Sequence, residues 1–323
     1  MLIRSERWFR MCGYIARILR WWANVNSRRA LFQLAVFSGF LASSTANAFD
    51  VEPDHPETGT VGYTVPEDLK RKLVRRATGA NPRWNKQDQI ELVDGRRFTL
   101  PYAAIPGRNG AEDVAFFQDE ARSIVTQTLA RSSWHVLTAP DAAPDRYGAL
   151  PAVLLSEQEA KPLTAFLLHE GAMWVEPSAQ APRLGKGDAG KGWHLFVKGL
   201  LEAEAEARAR GLGLWRFAAF RPRRADGAWP RKFTNDINRF TLVEGRLLSL
   251  GETKRYTYLN FGSRWREDYT VRIQSRDRGR IEAFLGAPLT ALTGQRIRTR
   301  GWITEKDGPD MKLTSGLWIE VVP

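Results

Sequence analysis

The chain has 323 residues, of which 43% are apolar and 11% aromatic, and its formal net charge is +12. This length suffices for two domains, and this apolar content favours packed cores and excludes a disordered chain. Positive charge favours anionic partners such as nucleic acid, because it attracts phosphate over long range. The only cysteine, Cys12, lies in the first 48 residues, so the rest of the chain is predicted to fold without disulfides.

Residues 1–48 predict an export signal. A basic lead precedes an apolar run at residues 30–42, and a small-x-small cleavage site ends at Ala48. Cleavage there would place the protein in the periplasm or outside the cell. The apolar run is shorter than the roughly 20 residues that cross a bilayer, so no transmembrane span is predicted. A later start at Met11, or an uncleaved interfacial anchor, remains open.

Residues 49–84 are predicted to form an N-terminal arm, because the segment is polar and carries Pro and Gly. Residues 69–76 (LKRKLVRR) are basic and predict one helical turn or two. These cations suit a phosphate backbone, although a charge run is also the ordinary solvated face of a protein.

Residues 85–220 are predicted to form the first domain. Asp94-Gly95 is a hairpin turn joining strands at residues 85–93 and 96–105, because glycine accepts the positive φ of such turns. Apolar residues at helical spacing predict a helix over residues 111–129. The remaining predicted elements are a hairpin (133–138 and 150–155), a helix (163–169), a strand (172–175) and a helix (193–210).

The last of these helices is predicted to place Leu195 toward the core. Gly213 is predicted to end it, because glycine tolerates the left-handed conformation of a helix C-cap. The glycine-rich segment before it, residues 178–192, is predicted to be a loop. Its end, GKGDAGKG, has Gly192 where a phosphate-binding loop requires Ser or Thr, so a nucleotide-hydrolysing site is not predicted.

Three motifs in this domain carry a family resemblance: the hairpin DGRRFTLPYAAIPG (94–107), DRYG (145–148) and LLEAEAEARARGLGLW (200–215). Together they resemble the staphylococcal-nuclease-like (thermonuclease) family, over roughly residues 85–217. That family is an OB-type barrel that cleaves nucleic acids with calcium. The resemblance implies an OB-type five-stranded barrel with packed helices for this domain.

The resemblance also implies that the catalytic residues have been lost. In the family the hairpin leads into Arg-Leu-x-x-x-Asp-x-Pro-Glu, whose arginine binds phosphate, aspartate holds calcium and glutamate acts as base. Thr99, Ala104 and Gly107 occupy these three positions here, and Ala149 replaces a second arginine after DRYG. Asp88 is the only match to a calcium carboxylate. Because calcium takes several oxygen ligands, no cofactor is predicted.

An active calcium-dependent nuclease with relocated residues is the alternative. Arg97 shares a strand face with Thr99, but it lies roughly 6.8 Å along the strand. Arg108 and Asp113 follow Gly107 and would have to turn inward. Positioning errors near 1 Å can cost about a hundredfold in rate, so loss of catalysis is the expectation.

Residues 221–233 are predicted to be a basic linker, and residues 234–323 a second domain. Three strands, a helix and two strands follow one another there, which is the order of an OB-fold. The fold class predicted for the whole chain is therefore mainly β with α, with the nuclease-like barrel followed by a second small OB-like β-barrel. The predicted strands are residues 240–249, 255–261, 269–274, 296–304 and 311–322, and the predicted helix is residues 280–292.

A binding surface is predicted on the second domain. Tyr256, Tyr258 and Arg272 occupy alternate positions of adjacent strands, and Arg264 and Trp265 lie in the loop between them. Bases stack on aromatic rings while arginines neutralise phosphate, so single-stranded nucleic acid or another polyanion is the predicted partner. The other interpretation is half-buried sheet residues beside solvated arginines. Further cations are expected from three arginines of the fourth strand, Arg296, Arg298 and Arg300.

The sequence thus predicts an exported, thermonuclease-like protein without nuclease catalysis that acts as a nucleic-acid-binding or scaffold module. A cell-envelope module that binds another protein is a further alternative.

Overall fold

The computed structural model describes residues 63–107, 112–176, 187–225, 236–264, 267–306 and 308–322, with side chains from residues 116 and 190 onward in the helices that begin at 112 and 187. Several predictions lie outside the described residues or side chains: the export signal with its cleavage site at Ala48, most of the linker, Arg108, Asp113 and Trp265.

The first half of the described chain, residues 63–220, alternates helices and short strands. Its helices are α1 (Glu67–Lys70), α2 (Glu112–Ala130), α3 (Leu163–His169) and α4 (Gly187–Arg210). Its strands are β1 (Val74–Ala80), β2 (Arg83–Trp84), β3 (Ile90–Glu91), β4 (Arg97–Thr99), β5 (Ala103–Ala104), β6 (Trp134–Thr138), β7 (Leu150–Pro151), β8 (Val153–Ser156) and β9 (Trp174–Val175).

The strands of the first half form three small sheets. β1, β6 and β8 are antiparallel neighbours, and β5 pairs with β9. β2, β3, β4 and β7 form the third sheet, in which β4 and β7 run parallel. The predicted hairpin is confirmed, because Ile90 pairs with Phe98 and the Gly95 N–H donates to the Leu92 carbonyl over 3.0 Å.

Helix α2 follows its predicted apolar spacing. Phe117, Ala121, Val125 and Leu129 lie four residues apart, and none is more than 2% exposed. Residues at this spacing share one face of a helix, and this face packs into the core.

The basic segment at residues 69–76 is not an arm. Helix α1 covers only its beginning, and the rest leads into β1, where Val74 pairs with Thr138 of β6. Leu69, 1% exposed, anchors α1 in the core. The prediction erred because the segment is held by contacts with residues distant in sequence, namely those of Leu69 with α4 and of β1 with β6.

Helix α4 differs from its prediction at both ends. It begins at Gly187, so the end of the predicted glycine-rich loop is helical, and Leu195 is 60% exposed rather than inward. The helix ends at Arg210 with Gly211 in the left-handed region, φ 63°. Gly213 has another role: a Cβ there would stand 2.2 Å from the Gly171 carbonyl oxygen, so only glycine allows this close approach.

The second half, residues 221–322, is built on one sheet. Its strands are β10 (Arg223–Arg224), β11 (Phe240–Arg246), β12 (Ser249–Glu252), β13 (Tyr256–Asn260), β14 (Thr270–Gln274), β15 (Arg296–Glu305), β16 (Pro309–Leu313) and β17 (Ile319–Val321). Helix α5 (Ser275–Leu285) follows β14, so it begins earlier than predicted and a 3-10 turn (Leu289–Leu292) replaces its predicted end.

The order of strands in this sheet is β10-β11-β15-β16-β14-β13-β12, with β17 also paired to β15. β14 and β16 run parallel, as do β10 and β11, and the other neighbours are antiparallel. The prediction missed β10, which lies in the proposed linker, and β12.

The two halves share one core. Trp174 of the first half lies with its ring centroid 5.3 Å from that of Phe240 in the second, and Phe220 packs against Trp174 at 6.1 Å. Residues 61–323 form one compact unit. The domain boundaries predicted near residues 220 and 234 fall within this unit.

Helices and strands both contribute substantially, so the fold is mixed α/β rather than mainly β, with curled sheets that include a half-barrel. No helix in the described ranges has the length and apolar character needed to cross a membrane.

Candidate functional site

The four positions that the resemblance aligns with catalytic residues lie in the strands and loops of the first half. Thr99 ends β4, Ala104 lies in β5, Gly107 is exposed beyond it and Ala149 is fully buried before β7. None has an ionisable side chain, and the Thr99 hydroxyl is buried with no hydrogen-bond partner among the described residues. These positions provide neither a phosphate-binding cation nor a general base.

Asp88, the one match to a calcium ligand, is bound by a cation of the protein itself. Arg122 of α2 donates to both carboxylate oxygens over 2.8 and 3.1 Å, and the Trp84 indole donates over 3.2 Å. The hydrogen bond to Asp88 raises the pKa of Arg122, despite partial burial. No cluster of three or more His, Cys, Asp or Glu within the described ranges could hold a metal ion.

The intact DRYG motif, residues 145–148, forms a loop held by hydrogen bonds. One carboxylate oxygen of Asp145 accepts from the backbone N–H groups of Tyr147 and Ala149 over 2.8 and 2.9 Å. The Asp145 N–H donates back to the Ala149 carbonyl, and Arg146 lies over the Tyr147 ring at 4.6 Å. Asp145 therefore has a structural role here that requires no catalysis.

Of the residues considered as substitutes, only Arg97 has a described side chain. It is exposed on β4, opposite Glu91, and its guanidinium lies beside Gly148 of the DRYG loop, 3.3 Å from the place of a Cβ. Arg97 thus points toward the loop next to Ala149, while Arg108 and the Asp113 side chain lie outside the described part. Relocated catalysis stays a hypothesis.

We expect that millimolar calcium will neither raise the melting temperature of the purified protein nor support DNA hydrolysis. The reason is that Arg122 already neutralises Asp88, and a hard cation requires several free oxygens. Thermal unfolding and oligonucleotide cleavage, each with calcium or chelator, test this. Calcium-dependent cleavage that disappears in Asp88→Asn but persists in Asp119→Asn would contradict it.

The second half carries a cleft of about 480 Å³, here called the aromatic cleft. Tyr258 pairs with Arg272 across β13 and β14, so the two side chains emerge on one face of the sheet. The Tyr256 ring lies beside it, with its centroid 6.1 Å from that of Tyr258. The lining includes Tyr258, Asn260, Arg272, Lys306, Pro309 and Asp310.

Cations surround the rings of this cleft. The Arg272 guanidinium lies 5.4 Å from the centre of the Tyr256 ring, and the Lys306 ammonium lies 6.0 Å from it. The Gln274 side chain, followed by the charges of Arg272, Lys312 and Lys306, lowers the pKa of the Tyr256 hydroxyl. These three cations therefore contribute to the shift without being its largest cause.

One of these cations is already paired. Arg272 donates through two nitrogens to both carboxylate oxygens of Asp310, which is 3% exposed. This bidentate pair fixes the guanidinium plane against the Tyr256 ring, so Arg272 positions the rings more than it supplies free charge. Lys306 and Lys312 provide positive charge without a carboxylate within ion-pair distance among the described residues.

The other residues of the predicted surface do not join the cleft. Arg264 lies in the loop after β13, pairs with Glu267 at 2.8 Å and is not part of the lining. Trp265 lies outside the described residues.

The arginines of β15 do not supply free cations to this surface, contrary to the prediction. Arg300 is 1% exposed and donates to Glu204 of α4 over 2.9 and 3.0 Å. Arg298 donates to Glu244 and Glu320 over 2.7 and 2.8 Å, and Arg296 donates to Glu244. The alternation was correct, but the three guanidinium groups are paired with Glu244 of β11, Glu204 of α4 and Glu320 of β17.

Sequence reasoning also missed Lys306 and Asp310. Both lie around the connection from β15 to β16, whose predicted strands were correctly separated. The order of predicted strands could have pointed to this loop, because the loop between the fourth and fifth strands of an OB-fold borders its binding face.

No protein-family model matches the chain, and a search of curated proteins finds no significant similarity.

Proposed function

We propose that this chain is an exported protein that binds single-stranded nucleic acid through the aromatic cleft, and that its first half is a nuclease-like barrel without catalysis. The observation that carries the proposal is the juxtaposition of Tyr256, Tyr258 and Lys306 around a cleft of about 480 Å³. Rings at this spacing offer faces to bases, and the lysine offers charge to phosphate.

The connectivity of the second half supports an OB-type interpretation. If β11 and β12 are counted as one bent strand, it pairs with both β13 and β15. β14 pairs with β13 and β16, and β16 with β15, so each of the five strands has two neighbours. This arrangement is consistent with a closed five-stranded Greek-key barrel.

The position of the cleft supports the same ligand. In OB-folds the face of strands two and three, with the loops after strands one and four, binds oligonucleotides. The aromatic cleft is lined from β13 and β14, from Thr253 in the loop after β12, and from Lys306 in the loop after β15. It therefore coincides with the face that such barrels use.

The first half supports the thermonuclease-like part of the proposal less directly. Its helices and strands follow the predicted order, and the parallel pairing of β4 with β7 joins the opening hairpin to the DRYG segment. The residues at the positions aligned with catalytic ones and the Asp88–Arg122 pair argue against phosphodiester hydrolysis by this half.

Tyr258→Ala is expected to weaken binding of a fluorescent single-stranded oligonucleotide by about 1–3 kcal/mol, or roughly 5- to 150-fold, because one stacked base is lost. Fluorescence anisotropy with the purified chain measures the dissociation constant at a stated salt concentration. Tyr147→Ala is the matched control, since that tyrosine is 52% exposed on the other half and should have no effect.

The same assay tests the charge. Lys306→Gln should reduce the slope of log affinity against log salt by about one phosphate contact. If the protein does not retain single strands at about 50 mM salt, where screening is weak, the nucleic-acid proposal is wrong and a protein partner becomes the better hypothesis. Cleavage of the probe would instead favour the calcium-dependent nuclease.

A further inference from the structure

A second cleft lies where α4 of the first half meets β11, β15 and β17 of the second, and we call it the arginine cleft. It has a volume of about 670 Å³, within the range of small-molecule sites. Its described lining residues include Arg208, Arg210, Arg221 and Arg298, and Glu244 is the one carboxylate among them. Because Arg208 and Arg298 are paired with glutamates, the uncompensated positive charge of this lining belongs to Arg210 and Arg221.

The floor of the cleft is a network of ion pairs in which arginines outnumber glutamates. Arg208 and Arg300 contact Glu204, and Arg298 contacts Glu244 and Glu320. Counting Arg296, which pairs with Glu244, four arginines face three glutamates, so one positive charge is unbalanced. Burial, together with the charges of Arg298 and Arg300, lowers the pKa of Arg208 although Glu204 opposes this.

The mouth of the cleft carries two arginines without an acidic partner in the described part of the chain. Arg210 is exposed, and its Nη1 lies 3.5 Å from His169 Nε2. Arg221 is exposed and, among the described residues, donates only to the Arg216 carbonyl, over 3.5 Å. Neither contact neutralises a guanidinium, so both retain charge and donors for a ligand.

Trp215, which lines the cleft, carries a further donor that is buried. Trp215 is 3% exposed, and its indole N–H has no hydrogen-bond partner among the described residues. Arg208 lies over the indole ring at 5.4 Å. The unpaired polar groups described around this cleft, on Arg210, Arg221 and Trp215, are therefore hydrogen-bond donors. A ligand rich in hydrogen-bond acceptors would complement them.

We propose that the arginine cleft binds a phosphate-bearing anion, with Arg210 and Arg221 donating to its oxygens at the mouth. Phosphate is favoured because it carries more than one negative charge and accepts paired hydrogen bonds from the planar guanidinium fork. The site is separate from the aromatic cleft, so it does not depend on single-strand binding. Because its walls come from both halves, the anion would also hold them together.

Inorganic pyrophosphate is the probe, titrated calorimetrically into the purified full chain at constant ionic strength. We expect saturable binding with one site and a rise in melting temperature, since a ligand of the folded state stabilises it. Arg210→Gln/Arg221→Gln should weaken binding at least about tenfold, because two charged hydrogen bonds are lost. Arg131→Gln/Arg276→Gln removes the same charge from exposed positions outside the cleft and should preserve binding.

Each single variant, Arg210→Gln and Arg221→Gln, is measured too, so that a folding defect of the double variant does not decide the outcome. Competition with a single-stranded oligonucleotide identifies the source of the phosphate: displacement indicates a strand backbone, and independent binding indicates a free phosphorylated molecule. Tyr258→Ala should bind pyrophosphate as the wild type does. Absence of binding at low ionic strength, or equal affinity of the two double variants, would overturn the proposal.

Discussion

Glu204→Gln is expected to lower the free energy of unfolding by about 3 kcal/mol, because it removes one partner of a buried ion pair and leaves Arg300 with Glu320 as its remaining acidic partner among the described residues. Glu204 is fully buried, and its carboxylate accepts from Arg300, Arg208 and the Val175 backbone N–H. Arg300 is 1% exposed and belongs to the other half of the chain. The change keeps the side-chain volume, so the loss of unfolding free energy measures the effect of removing the Glu204 charge.

Urea unfolding at neutral pH measures this effect. Glu206→Gln is the matched control, since its side chain is 41% exposed on the same helix and should change stability by no more than about 0.5 kcal/mol. The double variant Glu204→Met/Arg300→Met should cost less than the sum of the single changes, because neither charge then remains unpaired. A loss below about 1 kcal/mol for Glu204→Gln would show that the pair does not stabilise the junction.

The second large effect is a pH dependence set by Glu320. Burial by itself would raise the pKa of this carboxyl, but the charges of Arg300, Arg298 and Arg208 outweigh burial and bring the pKa to about 2, from an ordinary 4.5. A carboxyl whose pKa is lower in the folded state stabilises the fold when ionised. The contribution of about 3 kcal/mol is present above pH 4.5 and is lost as the pH falls toward 2.

The difference in unfolding free energy between wild type and Glu320→Gln, measured in urea from pH 5 to pH 2, isolates this contribution from that of other carboxyls. We expect the wild type to be more stable by about 3 kcal/mol at pH 5 and the difference to vanish near pH 2. Glu305→Gln, at an exposed position of β15, should show no such trend. A difference that stays constant with pH would show that the arginines do not depress the pKa of Glu320.

Features that depend on neighbouring residues were predictable. The Asp94-Gly95 hairpin and helix α3 (Leu163–His169) appear where turn chemistry and apolar spacing indicated them. Glycine conformation and helical periodicity act within a few residues, so they can be derived from a local segment.

The candidate site was predictable in part for the same reason. Side chains alternate along a strand, so Tyr256 and Tyr258 had to share a face if residues 256–260 were a strand. Which cations reach that face depends on register between strands. Arg272 was expected on the neighbouring strand, but its register opposite Tyr258 comes from the folded sheet, and Lys306 reaches the ring from a loop whose path only that sheet defines.

The sequence by itself determined the order of the elements apart from β1, β10 and β12, the faces of α2 and β13, and the absence of acidic or basic side chains at Thr99, Ala104, Gly107 and Ala149. Only the tertiary structure decided which faces are covered. Arg300 is a charged residue that is buried, because Glu204 lies opposite it. Leu195 is an apolar residue that is exposed, because no element within the described residues covers that side of α4. Burial depends on contacts between segments about a hundred residues apart, and local periodicity contains no information about such partners.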